Sequence, residues 1–279
     1  MLTRTVTLLT RCGITALFAL SSVGCAPTLD LKDFESIPPT QPLHRYAIAH
    51  RGSLHQGYPD NSIPALKEAL AQGVQFLEVD VRKGNDGTLF IFHDGSLQNN
   101  NFFSPQGLEG KRVQELTQSE RESVRLNQGG TIGIPTLKEA LDVVSQNKTA
   151  SLQIDLKGES DELLQSVIDL LKQEKKLSRA VIQLKSPERI TSIRAKEPTA
   201  RILARCKDME QLDQAIEARV EFVELERWIT AEAIAKCHAA NITVVLNVAA
   251  PPYDNRDTWE FFRARGVDSV MTDHAGVAR

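Results

Sequence analysis

Carboxylates interrupt an otherwise apolar stretch of the chain. In the run 76–81, Glu78 and Asp80 stand two residues apart among apolar neighbours. If the run is a β-strand, both side chains point to the same face, and in a closed barrel that face is the interior. Buried carboxylates are costly without a compensating charge, and Mg²⁺ or Ca²⁺, which prefer oxygen ligands, would supply it. The alternative is pairing with a lysine or arginine of a neighbouring strand.

The same pattern recurs farther along the chain. Asp155 ends the apolar run 152–155, and Lys157 follows it by two residues. Two histidines also stand at the ends of apolar runs, His50 after 46–49 and His93 after 89–92. One imidazole can take a proton from an attacking hydroxyl while the other gives one to a leaving oxygen, and a metal with nearby cations can stabilise phosphate charge. Together these residues predict metal-dependent cleavage of a phosphodiester.

Short apolar runs alternate with amphipathic stretches from Tyr46 onward, which indicates a mainly parallel sheet covered by helices. The predicted strands are 46–50, 76–81, 88–93, 150–156, 180–184, 201–205, 221–226, 242–248 and 268–272. The predicted helices are 62–72, 136–146, 161–175, 186–196, 208–219, 230–239 and 257–265. The strand 88–93 follows the turn sequence Asn85-Asp86-Gly87 too soon for a crossover helix, so it forms a hairpin with strand 2.

The remaining eight strands predict an α/β fold, a (β/α)8 TIM barrel. An open doubly wound sheet is the alternative, but no Gly-rich phosphate loop follows the first strand. The residues from about 95 to 134 break the alternation and predict a loop insertion with at most one helix, around 114–125. We expect this insertion to cover the catalytic end of the barrel, although a surface excursion is possible. We also expect 88–93 to project above the barrel, because otherwise His93 would lie far from His50.

The first 25 residues have the pattern of a secretory signal, with Arg4 and Arg11 before the short apolar run 13–20. Small residues directly before Cys25 resemble a bacterial lipoprotein cleavage site, which predicts a lipidated Cys25 and an exported, envelope-anchored protein. An ordinary signal cleaved near Cys25 is the alternative. The proline-containing stretch 26–44 predicts a tether, and 45–279 a single phosphodiesterase barrel domain.

Composition restricts the function further. The 279 residues are 41% hydrophobic, enough for one sizeable core. A net charge of −3 argues against a nucleic-acid binder, whereas a single phosphate needs only one or two cations. After the predicted signal, Cys206 and Cys237 are the only cysteines, and their positions in a strand and a helix predict buried free thiols.

The ordered set of these motifs resembles the glycerophosphodiester phosphodiesterases over about 46–273. The matches are Ala49-His50-Arg51-Gly52, Pro59-Asp60-Asn61-Ser62, Glu78-Val79-Asp80-Val81, Asp86-Gly87, His93-Asp94, 134–141, Asp155-Leu156-Lys157, Gly266-Val267-Asp268 and Thr272-Asp273. The resemblance implies a TIM barrel that hydrolyses glycerophosphodiesters to glycerol phosphate and an alcohol. In such enzymes a glycerol hydroxyl is thought to attack phosphorus, and water then opens the cyclic phosphate.

The resemblance also implies roles for individual residues. His50 and His93 match the catalytic histidines, and Glu78, Asp80 and Asp155 match the ligands of a divalent metal, Mg²⁺ or Ca²⁺. The residues predicted to contact the substrate phosphate are Arg51, Lys157 and Asn61. The implied substrate is a small-molecule or lipid-derived phosphodiester.

The chain departs from the family pattern at two acids, which would change how the metal is held, and at the part of the pocket that reads the substrate. Aspartate replaces the usual glutamate at Asp60 and Asp155, the run 243–247 lacks the usual aromatic, and the usual proline is missing after Asp273. Two alternatives therefore stay open. One is phospholipase-like cleavage of intact lipid head groups, and the other is a non-catalytic, phosphodiester-binding envelope lipoprotein.

Other polar residues have weaker interpretations. Glu224 and Glu226 repeat the two-apart pattern and are predicted either to face the barrel centre or to pair with a neighbouring arginine. The remaining histidines are predicted to be structural or solvent-facing at 44 and 238, with a weak candidacy for the pocket at 55 and 274.

Overall fold

The computed structural model describes residues 31–43, 46–54, 57–97, 107–126, 130–158, 160–225, 228–249 and 252–278. The strands are β1 Tyr46–Ala49, β2 Phe76–Lys83, β3 Leu89–Ile91, β4 Ser151–Leu156, β5 Ala180–Leu184, β6 Arg201–Cys206, β7 Phe222–Leu225, β8 Thr243–Asn247 and β9 Ser269–Thr272. The α-helices are α1 Ile63–Ala71, α2 Gln118–Ser123, α3 Leu137–Ser145, α4 Asp161–Gln173, α5 Pro187–Lys196, α6 Met209–Glu217, α7 Ala231–Ala239 and α8 Arg256–Arg263. Short 3₁₀ turns occur at Leu31–Phe34, His50–Gly52, Val113–Glu115 and Leu177–Arg179.

The parallel strands close into a barrel. Neighbouring strands pair in parallel in the order β1, β2, β4, β5, β6, β7, β8 and β9, and β1 pairs with both β2 and β9. Helices connect successive strands on the outside, so the predicted (β/α)8 TIM barrel is confirmed. We call the end where the strands finish the mouth, and the end where they begin the floor.

The barrel interior changes character from floor to mouth. Its lower part is filled by apolar side chains, namely Ile48, Phe76, Val181, Leu203, Phe222, Val245 and Met271. Higher up, Gln153 and Gln183 are buried and hydrogen-bonded to each other at 2.8 Å. Glu78 pairs in register with Gln153 and Asp155 with Gln183, and Asp80 lies beside Asp155, so the acids begin at the level of the glutamines and continue toward the mouth. The apolar layer therefore supports a charged layer at the mouth.

Most helices that leave the mouth begin at a capping side chain. An oxygen of the residue before the helix accepts a backbone N–H of its first turn at Ser62, Thr117, Thr136, Ser160, Asp208, Thr230 and Asn255. Such a cap satisfies an amide that the helix leaves unpaired and defines where the helix starts. The loops between strand ends and helix starts are thereby held at both ends.

The hairpin strand β3 lies above the barrel wall. It pairs antiparallel with the last residues of β2, Val81 with Ile91 and Lys83 with Leu89, whereas β1 pairs with the lower part of β2. After β3 the chain descends again, and the Phe92 N–H donates to the Asp80 carbonyl at 2.8 Å. The expected projection above the mouth is confirmed, and the descent returns the next residue, His93, to the level of the acids.

The insertion has a small core of its own. Apolar residues of the hairpin and the insertion pack into a cluster separate from the barrel core, made of Phe90, Phe92, Leu97, Leu108, Val113, Leu116, Val124 and Leu126. Arg121 of α2 is buried. Its guanidinium donates to Asp86 in the hairpin turn at 2.5 Å and to the Leu116 carbonyl in the insertion at 2.7 Å. The predicted single helix is found, and the described part of the insertion is a packed cap on the hairpin.

The segment predicted as a tether is packed against the barrel over 31–43. Phe34 and Ile37 are buried, and the Phe34 ring lies 5.2 Å from that of Phe262 in α8. The Thr40 N–H donates to the Ala264 carbonyl at 2.9 Å, at the floor. The folded domain therefore begins before the predicted boundary at 45, because the apolar residues of this segment cover the end of α8. We call 31–43 the strap.

Replacing Phe34 with alanine should measure the contribution of the strap. The loss of a buried aromatic ring is expected to lower the free energy of unfolding by about 2–4 kcal/mol, whereas a free tether would give no change. Leu43 in the same strap is 40% exposed and is the matched control, with an expected loss for alanine below about 1 kcal/mol. Urea unfolding of the three proteins gives the comparison.

Two further predictions concern the rest of the chain. Cys206 and Cys237 are both buried free thiols, as predicted, and burial raises the pKa of each to about 12.

The predicted signal and Cys25 lie outside the described residues. Within those residues, every helix is too short or too polar to cross a bilayer.

Candidate active site

Three carboxylates meet at the mouth of the barrel. One oxygen from each of Glu78, Asp80 and Asp155 lies within 4.8 Å of the others. The two strands that carry them are neighbours, and Asp80 pairs with Asp155 in register. The side chains of Glu78 and Asp80 are buried, and that of Asp155 is 13% exposed. The predicted convergence of these acids is confirmed, and Asp155 faces the opening.

The His-Arg-Gly motif forms a tight turn directly beside the acids. Arg51 and Gly52 both have positive φ, 55° and 67°. This turn aims the Arg51 N–H at Glu78 Oε2, 2.8 Å away. A side chain at Gly52 would be strained, because its Cβ would lie 2.5 Å from a methyl carbon of Leu66 in α1. The glycine therefore allows α1 to pack close to the turn that holds His50 and Arg51.

Asn61 holds Asp80 from behind. Its amide nitrogen donates to Asp80 Oδ2 at 2.7 Å, and its amide oxygen accepts the Asp80 N–H at 3.0 Å. Asn61 is only 2% exposed. Both ends of the amide are thus engaged with Asp80, so Asn61 positions a carboxylate, and its contact with a phosphate stays a prediction.

Lys157 bridges two of the three acids. Its Nζ lies 2.7 Å from Asp80 Oδ1 and 2.6 Å from Asp155 Oδ2. Arg51 approaches less closely, with Nε 3.5 Å from Asp80 Oδ2 and Nη1 3.5 Å from Asp60. The lysine partner that the sequence left as an alternative is therefore present for two carboxylates. Among the described ion pairs, Glu78 has none.

The pKa shifts follow from this uneven pairing. Burial raises the pKa of Glu78 well above its ordinary value, and the charges of Asp80 and Asp155 raise it further. Burial also raises the pKa of Asp80, but the charge and hydrogen bond of Lys157 and the hydrogen bond of Asn61 outweigh it and lower the pKa overall. Burial alone would lower the pKa of Lys157, yet the two aspartates raise it.

The acid cluster fits a divalent cation. Its donor atoms are all carboxylate oxygens, the set that Mg²⁺ and Ca²⁺ prefer. One lysine leaves excess negative charge among three converging acids. Burial raises the pKa of Glu78 most, and the charges of Asp80 and Asp155 raise it further. A divalent ion would remove the repulsion between the carboxylates.

His50 is held by an aspartate from the other end of the domain. Its Nδ1 lies 2.9 Å from Asp273 Oδ1, immediately after β9. The Asp273 N–H in turn donates to Asp254 Oδ2 at 2.8 Å, and the Trp259 indole donates to Asp254 Oδ1 at 3.1 Å. Because Asp273 engages Nδ1, the other ring nitrogen of His50, Nε2, is the one that can exchange a proton with a ligand.

His93 is held in a similar way but is more open to solvent. Its Nδ1 lies 2.8 Å from Asp94 Oδ1, and its side chain is 41% exposed. Arg82 fixes the descending chain by donating to the carbonyls of Phe92 at 3.1 Å and His93 at 2.6 Å. The preceding residue, Phe92, donates its N–H to the Asp80 carbonyl at 2.8 Å, so the structure brings His93 to the acids.

The other candidates lie around this centre or away from it. Buried Glu224 pairs with Arg205 at 3.3 Å, the second of its two predicted interpretations. Lys185, which the sequence did not single out, is 3.8 Å from Asp155 Oδ1. His238 bonds buried Asp268 at 3.1 Å near the floor and is structural, as predicted. His274 follows Asp273 and is half-buried. The candidates His44, His55 and Glu226 lie outside the described residues.

Sequence reasoning missed the roles of Asp273, Asp254 and Arg82. Asp273 belonged to a recognised motif, Thr272-Asp273, which marked the position but not its partner. Nothing in the local pattern distinguishes Asp254 or Arg82 from ordinary polar loop and strand residues. Their roles depend on which strand ends meet when the barrel closes.

The fold and the site define a TIM barrel with paired histidines around an acidic centre at its mouth. The chain belongs to the glycerophosphoryl diester phosphodiesterase family, whose pattern matches residues 50–277. A glycerophosphodiester phosphodiesterase of Bacillus altitudinis is 33% identical over 112 residues, covering 40% of this chain. That alignment spans 44% of the Bacillus protein, less than half of its length.

Solved structures of the same family share the fold. A phosphodiesterase assigned to this family from Silicibacter pomeroyi superposes with a TM-score of 0.72 at 20% identity, covering 86% of this chain and 93% of that one. A phosphodiesterase of Oleispira antarctica, in complex with the product sn-glycerol-3-phosphate, gives a TM-score of 0.68 at 20% identity, covering 88% of this chain and 96% of that one.

Proposed function

We propose that the protein hydrolyses glycerophosphodiesters to glycerol phosphate and an alcohol, with a divalent metal and two histidines. The observation that carries the proposal is the convergence of Glu78, Asp80 and Asp155 within 4.8 Å beside a turn that presents His50. Family membership supports the same reaction, as does the glycerol phosphate product in the Oleispira antarctica relative.

In this proposal the three acids hold Mg²⁺ or Ca²⁺, which when bound would stabilise the charge that develops on the phosphate oxygens. Lys157 and Arg51 add positive charge beside the same acids. The Arg51 side chain is 25% exposed, so it can turn toward a phosphate at the mouth. Asn61 keeps Asp80 in place during the reaction by bonding both its carboxylate and its backbone N–H.

The histidines move the protons. One accepts the proton of the attacking glycerol hydroxyl, and the other donates a proton to the departing alcohol oxygen. Their roles exchange when water opens the cyclic phosphate. Asp273 and Asp94 engage the Nδ1 atoms, so both transfers take place at the Nε2 atoms. The pairs also hold each ring in one orientation, as a catalytic acid or base requires.

The experiment that tests this function is an assay of the purified protein on glycerophosphocholine, with and without chelator, alongside diacyl phosphatidylcholine. We expect hydrolysis of the deacylated substrate that stops with chelator and returns on adding Mg²⁺ or Ca²⁺. Chelator-resistant hydrolysis would contradict the metal role. Faster hydrolysis of the diacyl lipid than of glycerophosphocholine would establish the phospholipase-like alternative. Metal-dependent binding of glycerophosphocholine without hydrolysis would establish the non-catalytic alternative.

Asp273→Asn should test the role of the His50 partner. The amide can no longer accept the Nδ1 proton with a charged oxygen, so the imidazole loses its orientation and its electrostatic support. We expect kcat to fall by about 10–100-fold, with metal affinity unchanged. Asp254→Asn is the milder companion, because it disturbs only the support of Asp273. If Asp273→Asn retained wild-type kcat, the Asp273 contact would have no role in turnover.

We further propose that the chain is exported and anchored through a lipid on Cys25. The support is the arrangement of charged, apolar and small residues before Cys25. Mass spectrometry of the mature N-terminus should find a diacylglyceryl cysteine. Cys25→Ser should release the protein from membranes, and an unmodified N-terminus would contradict the anchor.

A further inference from the structure

The floor of the barrel carries an exposed cluster of lysines. Lys148 lies between α3 and β4, Lys175 and Lys176 lie between α4 and β5, and Lys196 ends α5 before β6. Because each helix returns the chain from the mouth, these connections all lie at the floor. Lys148, Lys175 and Lys196 are exposed, and Lys176 is half-buried. We call these four residues the floor lysines.

The loops that carry the floor lysines are joined to each other. Arg179, just before β5, donates to the carbonyls of Asn147 and Lys148 and so ties two of the loops together. A contact between Lys172 and Glu197 links the end of α4 to the end of α5. The loops are therefore joined into one surface by the side chains of Arg179, Lys172 and Glu197.

The carboxylates near this surface are already paired. Glu174 lies 3.3 Å from Lys138, and Glu197 is bound by Lys172. Among the described residues, none of the floor lysines has a carboxylate partner. The surface is thus locally basic in a chain whose net charge is −3, and its charge is not cancelled by ion pairs within the domain.

The strap reaches the same end of the barrel from the opposite side. The Leu43 N–H donates to Asp268 Oδ1 at 2.5 Å just before β9, and Arg265, at the end of α8, donates to the Phe34 carbonyl at 3.3 Å. Between Cys25 and the first described residue, Leu31, lie only residues 26–30. Fully extended, the six steps from Leu31 to Cys25 span at most about 22 Å. Anything attached at Cys25 is therefore held near the floor.

We propose that the floor of the barrel is a membrane-docking surface for anionic phospholipid, with the floor lysines as its electrostatic contact. Exposed lysines near an anionic leaflet attract it, and each is expected to raise binding about five-fold. The strap and the floor lysines lie on opposite sides of the floor. Two contacts on opposite sides fix the orientation of the barrel relative to the bilayer. The mouth then points away from the bilayer, where soluble, deacylated substrates arrive.

Hydrogen exchange of the full chain on vesicles tests this orientation directly. On phosphatidylglycerol-containing vesicles at low salt, amides in 146–149 and 174–179 are expected to exchange at least about five-fold more slowly than on pure phosphatidylcholine. The hairpin turn 84–88 at the mouth should not change. The protection should weaken in 0.5 M salt, where screening is short-ranged.

A matched pair of variants distinguishes binding through the floor lysines from attraction by the overall charge of the protein. Changing all four floor lysines to glutamine should abolish the anionic-lipid protection. Changing Lys67, Lys111, Arg112 and Lys207 to glutamine removes the same charge from the helix side and the mouth, and should leave the protection intact. Both variants should keep the wild-type midpoint of urea unfolding, which reports that they are folded.

The results that would overturn the proposal are equally specific. Protection of the mouth hairpin instead of the floor, or floor protection equal on both lipids, would show a different or non-electrostatic contact. Free exchange of the floor loops on every vesicle would also overturn it, and would leave an acidic protein as the partner for these lysines. The outcome does not depend on whether the reaction proposed above is correct.

Discussion

Changing His50 to glutamine is expected to lower kcat on a glycerophosphodiester by roughly 10³-fold, within the 10²–10⁴-fold range of general acid–base catalysis. Glutamine retains polarity and similar size but cannot accept and return a proton. His93→Gln is expected to have an effect of the same order, because the two rings serve as acid and base in one step. KM should change far less than kcat, since neither ring contributes most of the binding.

The double variant and a control histidine sharpen this result. With both histidines replaced, the loss should be far smaller than the product of the two single losses, because residues that act together are not additive. His274→Gln, directly after Asp273, is the control and should stay within about two-fold of wild type. Full activity in either His50→Gln or His93→Gln would refute the proposed proton transfers.

Glu78→Gln is expected to stabilise the metal-free protein while it destroys activity. In the folded state the pKa of Glu78 is raised above its ordinary value of 4.5. Between pH 4.5 and that raised pKa, the folded protein binds more protons than the unfolded chain, so stability falls as pH rises. The neutral amide removes this penalty, and we expect a gain of about 1–3 kcal/mol at pH 8.

The same variant should lose its response to metal. Wild type should gain stability on adding Mg²⁺ or Ca²⁺, by about 2.7 kcal/mol at a hundred times Kd, and the variant little or none. Its kcat should fall by roughly 10²–10³-fold. Calorimetry with and without chelator at pH 5 and pH 8 measures the stability and its response to metal. Hydrolysis of glycerophosphocholine measures kcat.

Glu224→Gln is the matched control for this experiment. Glu224 is also a buried carboxylate in the barrel, but Arg205 neutralises it at 3.3 Å. Its loss should therefore destabilise the protein and leave the metal response unchanged. A stabilised Glu224→Gln, or a Glu78→Gln variant that still binds metal, would show that the three acids do not form the site.

The parts of this protein that were predictable depend on short spacings. Glu78 and Asp80 are two residues apart on a strand, so their common face follows from the period of the pleat alone. The hairpin after β2 follows from a turn sequence too short for a helix. The barrel follows from the alternation of strands and helices, which is repeated along the whole domain.

Other parts depended on contacts between distant segments. The strap was predicted as a tether because its prolines and sparse apolar residues have no periodicity, yet Phe34 is buried against α8, far along the chain. Asn61 was assigned to the phosphate because of its motif. Its burial behind Asp80 became visible only once β2 and the turn before α1 lay side by side.

The sequence alone determined which chemical groups stand at the ends of the strands, because identity and strand spacing are local properties. Only the tertiary structure decided their partners. Barrel closure pairs His50 with Asp273, 223 residues later, and places Lys157 between two acids, while Glu78 has no ion pair with any described residue. The physical reason is that charge and proton affinity depend on neighbours in space, and parallel closure brings together strand ends that the chain keeps far apart.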